Sequence, residues 1–107
     1  MPPKRNWRRV EQYLAALETD RLHEDPRGRR WCVHDRLVAR QVDDSTLLIR
    51  SDFGPRERLL DRYPATFSVR PDLEAHMKVL ADIDHGDVEA ICAALHAAWQ
   101  LQRAASR

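Results

Sequence analysis

Three glycines in 107 residues leave no room for a Gly-rich linker or for a loop whose bare backbone cradles a phosphate. Cysteine is as scarce. Cys32 and Cys92 have no CxxC partner, and both read as small buried hydrophobes in a reducing compartment. No apolar run approaches the ~20 residues that a membrane-spanning helix needs. The start, Met1-Pro2-Pro3-Lys4-Arg5, is basic, but no apolar stretch follows it. A secretory signal is therefore not expected, and the chain reads as cytoplasmic. The net charge is +1, which gives no global electrostatic case for nucleic acid or for a membrane surface. Catalytic signatures are missing as well: there is no GxSxG, Walker loop, HExxH or paired-cysteine zinc set. The five histidines, His23, His34, His76, His85 and His96, never stand at i+3 or i+4 from one another. No catalytic residue, cofactor or metal ligand is expected.

What is present suits one soluble domain. Hydrophobic residues make up 43% and charged residues 33% of the chain. The organising stretch is Arg30 to Ser51. It holds three β-favouring runs, Arg30-Trp31-Cys32-Val33-His34, Leu37-Val38-Ala39-Arg40-Gln41-Val42 and Thr46-Leu47-Leu48-Ile49-Arg50-Ser51, separated by short polar breaks. This predicts a three-stranded antiparallel meander. Alternation puts Trp31 and Val33 on one face of the first run, with Arg30, Cys32 and His34 on the other. Leu47 and Ile49 share a face of the third. The middle run is ambiguous, because either phase carries apolar residues.

The rest of the chain supplies cover for that sheet. Residues 1–6 read as a flexible lead-in, with Asn6 able to cap a helix from about Trp7 to Leu17. Trp7, Val10, Tyr13, Leu14 and Leu17 form its apolar stripe. Residues 19–29 are polar, broken by Pro26 and Gly28, and read as a long loop. Asp52 suits the cap of a second, short helix with Pro55 in its first turn, and Pro64 ends it. Thr66-Phe67-Ser68-Val69 reads as a fourth strand and Met77 to Ile83 as a fifth. Val88, Ile91, Cys92, Leu95 and Trp99 repeat at helical spacing, and Ala93, Ala94, Ala97 and Ala98 among them raise helix propensity and permit close packing. The expected fold is α+β, a two-layer α-β(3)-α-β(2)-α domain over residues 7–103. Its antiparallel sheet carries helices mainly on one face, and residues 104–107 are a frayed C-terminus.

Charge is slightly uneven. Residues 1–50 hold 11 Lys/Arg against 8 Asp/Glu, while residues 51–107 hold 7 against 9. Arg8, Arg9, Arg27, Arg29, Arg30, Arg36 and Arg40, with Lys4 and Arg5, are candidate phosphate contacts if the first helix, the loop and the first hairpin are adjacent. Acids are interspersed among them, and the hairpin tip Asp43-Asp44-Ser45 is acidic, so solvated surface charge is the competing reading. Asp82, Asp84, His85 and Asp87 are residue types that hold divalent cations, yet they equally suit a capped helix start. Cys32 and His34 share a strand face, but at i and i+2 they stand too far apart for a nucleophile–base hydrogen bond. An open sheet face carrying Arg30, Cys32, His34, Leu48 and Arg50 also suits a protein partner or self-association.

Several segments resemble the MmcQ/YjbR family of small bacterial proteins: Val10, Tyr13 and Leu14 of the first helix; Arg29-Arg30-Trp31-Cys32-Val33; Arg36-Leu37-Val38-Ala39; Leu59-Leu60; Tyr63-Pro64; Phe67-Ser68-Val69; and Ala98-Trp99. Asp35-Arg36 stands where the family often has a Gly-Lys pair, and Val38 where it often has an aromatic residue. The resemblance spans about residues 7–103. It implies an α-β(3)-α-β(2)-α fold similar to type III secretion chaperones, and a DNA-binding label drawn from a double wing of strands. It implies no catalytic residues. Duplex DNA, held through phosphates, and a protein partner or second copy are the two partner classes expected.

Overall fold

The computed structural model describes residues 5–17, 21–25 and 28–105. Helix α1 runs over Arg5–Ala16 and buries Trp7, Val10 and Leu14, the stripe its spacing predicts. It begins before Asn6, so Asn6 is not its cap. The Asn6 amide instead donates to the carbonyls of Ile83 (2.8 Å) and Asp84 (3.3 Å), tying α1 to a distant loop. Of the expected lead-in, residues 1–4 lie outside the described residues.

Strands β1 (Arg21–Asp25), β2 (Gly28–Val33), β3 (Arg36–Asp43) and β4 (Thr46–Arg50) follow. Helix α2 (Phe53–Arg62), strand β5 (Phe67–Ser68), a single 3-10 turn (Pro71–Leu73), strand β6 (Lys78–Asp82) and helix α3 (Val88–Ala105) complete the chain. The strands form one antiparallel sheet in the order β1-β2-β3-β4-β6-β5. Three helices and all five expected strands are present in the expected sequence order, giving the α+β, two-layer arrangement. The sixth strand, β1, occupies part of the stretch read as a loop. Its sequence, Arg-Leu-His-Glu-Asp, has one apolar residue and no alternation. It pairs with β2 from the edge of the sheet, where a polar strand is tolerated and local propensity is overridden by backbone pairing.

Two irregularities set which side chains reach the core. Between Trp31 and Cys32 the β2–β3 register slips, so that Trp31 opposes Ala39 while Cys32 opposes Leu37. Val38 is the extra residue, and Val38 and Ala39 are both fully buried in the core. That bulge resolves the ambiguous phase of the middle run. The two residues joining β2 to β3, His34 (φ 52°) and Asp35 (φ 64°), are both left-handed. This is the backbone a two-residue hairpin loop demands, and His and Asp enter that region more readily than most residues. His34 is therefore in the turn and not on the strand face with Cys32.

The β3–β4 turn is held by Asp43, whose carboxylate accepts the Ser45 N–H (2.9 Å) and the Ser45 hydroxyl (3.3 Å). The Ser45 amide, above all, holds the Asp43 carboxyl below its ordinary value. A group depressed in the folded state adds stability above its unfolded pKa, near pH 4, and loses it as pH falls through the lower folded value. Asp43→Asn is expected to cost about 1 kcal/mol or less at neutral pH, because the turn is solvent-screened. In urea melts the difference from wild type should stay flat above about pH 4 and shrink toward zero below it; a difference that grew with acid would assign the turn to another group.

All three helices contribute to one core on one face of the sheet. Trp7, Val10 and Leu14 from α1 meet Ile91, Leu95 and Ala98 from α3 over Trp31, Ile49 and Val79. Leu59 and Leu60 of α2, and Tyr63 at its C-terminal cap, pack against the same cluster. Alternation turns Arg30, Cys32, Arg40, Leu48 and Leu80 to the other face, and none of them joins that core.

Candidate functional site

Of the seven arginines singled out by sequence, the structure separates the described ones into several groups. Arg29 precedes Arg30 by one residue on β2, so it turns to the opposite face, under α1. Its guanidinium lies between the rings of Trp7 and Trp31, 5.6 and 5.3 Å from their centroids. It also pairs with Glu11 and donates through Nε to Gln41 (2.8 Å). Arg29 is thus committed to joining α1 to the sheet. Arg9 pairs with Glu89 across α1 and α3 on the exposed helix layer. Arg8 is exposed on α1, and Arg36 is exposed where β3 begins. Arg27 and Lys4 lie outside the described residues. A single basic edge joining Arg8, Arg29, Arg30 and Arg36 is not formed, because α1 and the two strand faces point these groups in different directions.

What the fold does bring together is Arg30 and Arg40, opposite one another across β2 and β3 on the helix-free face. Like charges at directly opposed positions destabilise a sheet unless something neutralises them. Among the described residues neither guanidinium has a carboxylate partner, and the buried Nε of Arg30 has no hydrogen-bond acceptor. Buried donors are normally paired, which makes this one an exception among the described residues. In the adjoining row, Lys78 opposes Arg50, whose Nη1 is held by Asp52 (3.0 Å) and the Met77 carbonyl (3.2 Å). Leu48 (8% exposed), Leu80 (5%) and Cys32 (6%) form the floor between the cations.

Lys78 is a member of this face that sequence reasoning did not include. The signal was available: it alternates with the inward Val79, just as Arg30 alternates with Trp31. The acidic patch after β6 is a turn and a helix cap. Asp82 accepts the N–H groups of Asp84 (3.0 Å) and His85 (3.2 Å), and Asp87 accepts that of Ala90 (3.1 Å) in the first turn of α3. Among the described residues no three His, Cys, Asp or Glu side chains converge as ligands for a metal ion. Both cysteines are buried and neither is in a disulfide, and burial pushes the Cys92 thiol up, away from the reactive thiolate. No described helix is long and apolar enough to cross a membrane.

Searches against protein-family models, curated proteins and solved structures matched nothing to this chain.

Proposed function

We propose that this chain is a non-enzymatic, cytoplasmic, DNA-binding domain of the MmcQ/YjbR type that takes phosphate on the helix-free face of its sheet. The observation that carries the reading is the opposed pair Arg30 and Arg40, without a carboxylate partner among the described residues, with an unpaired donor at Arg30 Nε. Guanidinium groups match phosphate oxygens in a fork geometry, and two of them side by side bridge one phosphate or two successive ones. Contacts of this kind position a duplex without reading its sequence. Apart from the additional edge strand β1, the order of helices and strands is the one the family resemblance implies, which supports the family assignment. The same face is less suited to an apolar protein partner or a second copy. Its leucines are already covered, so little further apolar surface remains there to bury.

The test is a titration against labelled duplex DNA at ~50 and ~200 mM salt, with two charge-matched variants. Each phosphate contact should weaken binding about 3.5-fold over that salt interval. Arg30→Ala/Arg40→Ala is expected to lower the salt slope by about two and to abolish measurable binding at the higher salt. Arg8→Ala/Arg9→Ala, on the helix layer, should bind as wild type. No binding at the lower salt sinks the DNA reading, and loss only in the α1 variant moves the interface off the sheet.

A further inference from the structure

A concavity lies in the helix layer, away from the sheet face that carries Arg30 and Arg40. It is a groove of about 380 Å³ between α2 and α3, at the lower end of the range for small-molecule sites. Its origin is a divergence of the two helices. Helix α2 packs on β5 and β6, whereas α3 packs on β2, β3 and β4. Ala94 and Ala98 of α3 are buried and permit the close approach to the sheet that their size suggests. Ala93 and Ala97, the next residues round that helix, are exposed and line the groove. A methyl group is too short to reach α2, so the gap stays open. Leu59 and Tyr63 form the facing wall, and Leu101 closes one end.

The lip carries a net positive charge. Arg58 and Arg62, one helical turn apart on α2, are exposed and have no carboxylate partner among the described residues. Arg62 lies over the Tyr63 ring, 5.9 Å from its centroid, which holds it at the groove. The acid at the lip, Asp52, is already engaged by Arg50 (3.0 Å) and adds no free negative charge. An apolar trough with a cationic lip selects a ligand that is apolar along its length and anionic at one end. It disfavours a cation, and it gives a short anion nothing to bury.

The geometry points to a binding site for a medium-chain carboxylate, its chain along the alanine side of α3 and its head group at Arg58 and Arg62. Each methylene taken out of water adds about 0.8 kcal/mol, so chain length sets most of the affinity. The arginine pair fixes the orientation through charge-assisted hydrogen bonds. This inference uses none of the residues assigned to DNA, and it stands or falls independently of that reading.

The probe is sodium decanoate, kept well below its micelle concentration, followed by methyl and amide NMR shifts of the full chain. Acetate and decanol serve as comparison ligands. Saturable one-to-one shifts at Ala93, Ala97, Leu59 and Leu101 are expected with decanoate and not with acetate. Decanol should bind at least tenfold more weakly. Two variants at exposed positions separate the contributions: Ala97→Leu fills the trough, and Arg58→Gln/Arg62→Gln removes the lip charge. Each should weaken decanoate at least tenfold while urea melts show the fold intact. Equal binding of decanol, unchanged affinity in both variants, or shifts confined to the sheet face would overturn the assignment. So would groove signals that respond to protein concentration and not to decanoate, since the occupant would then be a second copy of the chain.

Discussion

Arg56→Ala is expected to lower the stability of this domain by about 3 kcal/mol, the largest effect of any single side chain outside the apolar core. Arg56 sits on α2 and is only 6% exposed, yet it carries a full charge. Its guanidinium donates to the carbonyls of His76 (2.7 Å), Glu74 (3.2 Å), Leu73 (3.4 Å) and Lys78 (3.5 Å). It also lies over the Phe53 ring, 4.8 Å from the centroid. One side chain thus gathers the whole connection from the 3-10 turn to the start of β6. Truncation leaves those carbonyls without their donor and releases the segment that delivers Lys78 to the sheet face. Arg56→Lys should recover only part of the loss, because a single ammonium lacks the planar fork that reaches several acceptors at once. Urea melts of the two variants give the comparison. A loss under about 1 kcal/mol for alanine would mean that water replaces the clamp at little cost.

Gly86→Ala is expected to be nearly as damaging, at about 2–3 kcal/mol, with a fall in Tm of roughly 10 °C or more. A Cβ at Gly86 would stand 2.3 Å from the Asp82 carbonyl oxygen and 2.8 Å from Thr66 Cγ2. Neither neighbour can swing aside. The Asp82 carbonyl accepts the Gly86 N–H (3.0 Å), which closes the turn. Buried Thr66 is pinned at both ends: its hydroxyl accepts the Asp87 N–H (2.8 Å) and its carbonyl accepts the Asp82 N–H (2.8 Å). The strain must therefore pass into the backbone joining β6 to α3, at the point where Asp87 caps the helix. Calorimetry of Gly86→Ala beside Gly54→Ala is the check. A Cβ at Gly54 meets only the tip of Arg58 at 3.8 Å, so that variant should fold with stability close to wild type. Equal Tm values for the two would contradict the packing around Gly86.

Both positions show where sequence reading stops. Arg56 reads as one of several polar residues of a short amphipathic helix, next to Arg58, and nothing local separates the buried arginine from the exposed one. The difference is made by a loop that begins at Arg70 and folds back over the first turn of α2. Gly86 reads as helix-start punctuation, and only the arrival of Thr66, twenty residues earlier in the chain, makes its missing side chain a requirement.

The sequence by itself determined the local elements and most of the buried faces. The helical spacing of Trp7, Val10 and Leu14, and of Val88, Ile91 and Leu95, and the alternation of Trp31 with Cys32 and of Leu47 with Leu48, are consequences of fixed periods, 3.6 and 2, that a chain cannot escape once it is helical or extended. Arg29, read as the end of a loop, lies on β2, where alternation sends it to the face opposite Arg30. Tertiary structure alone decided the rest. It made a strand of Arg21–Asp25, because β2 offered a pairing edge that outweighs the poor strand propensity of that segment. It turned Val38 and Ala39 inward together through a bulge. It consumed Arg29 between two tryptophans while leaving Arg30 and Arg40 opposed, with no carboxylate partner among the described residues, and it opened a groove beside alanines that the sequence suggested would close it. The physical reason is common to all of these: each depends on which distant segment arrives at a given surface, and that is set by packing over the whole domain and not by any period within a segment.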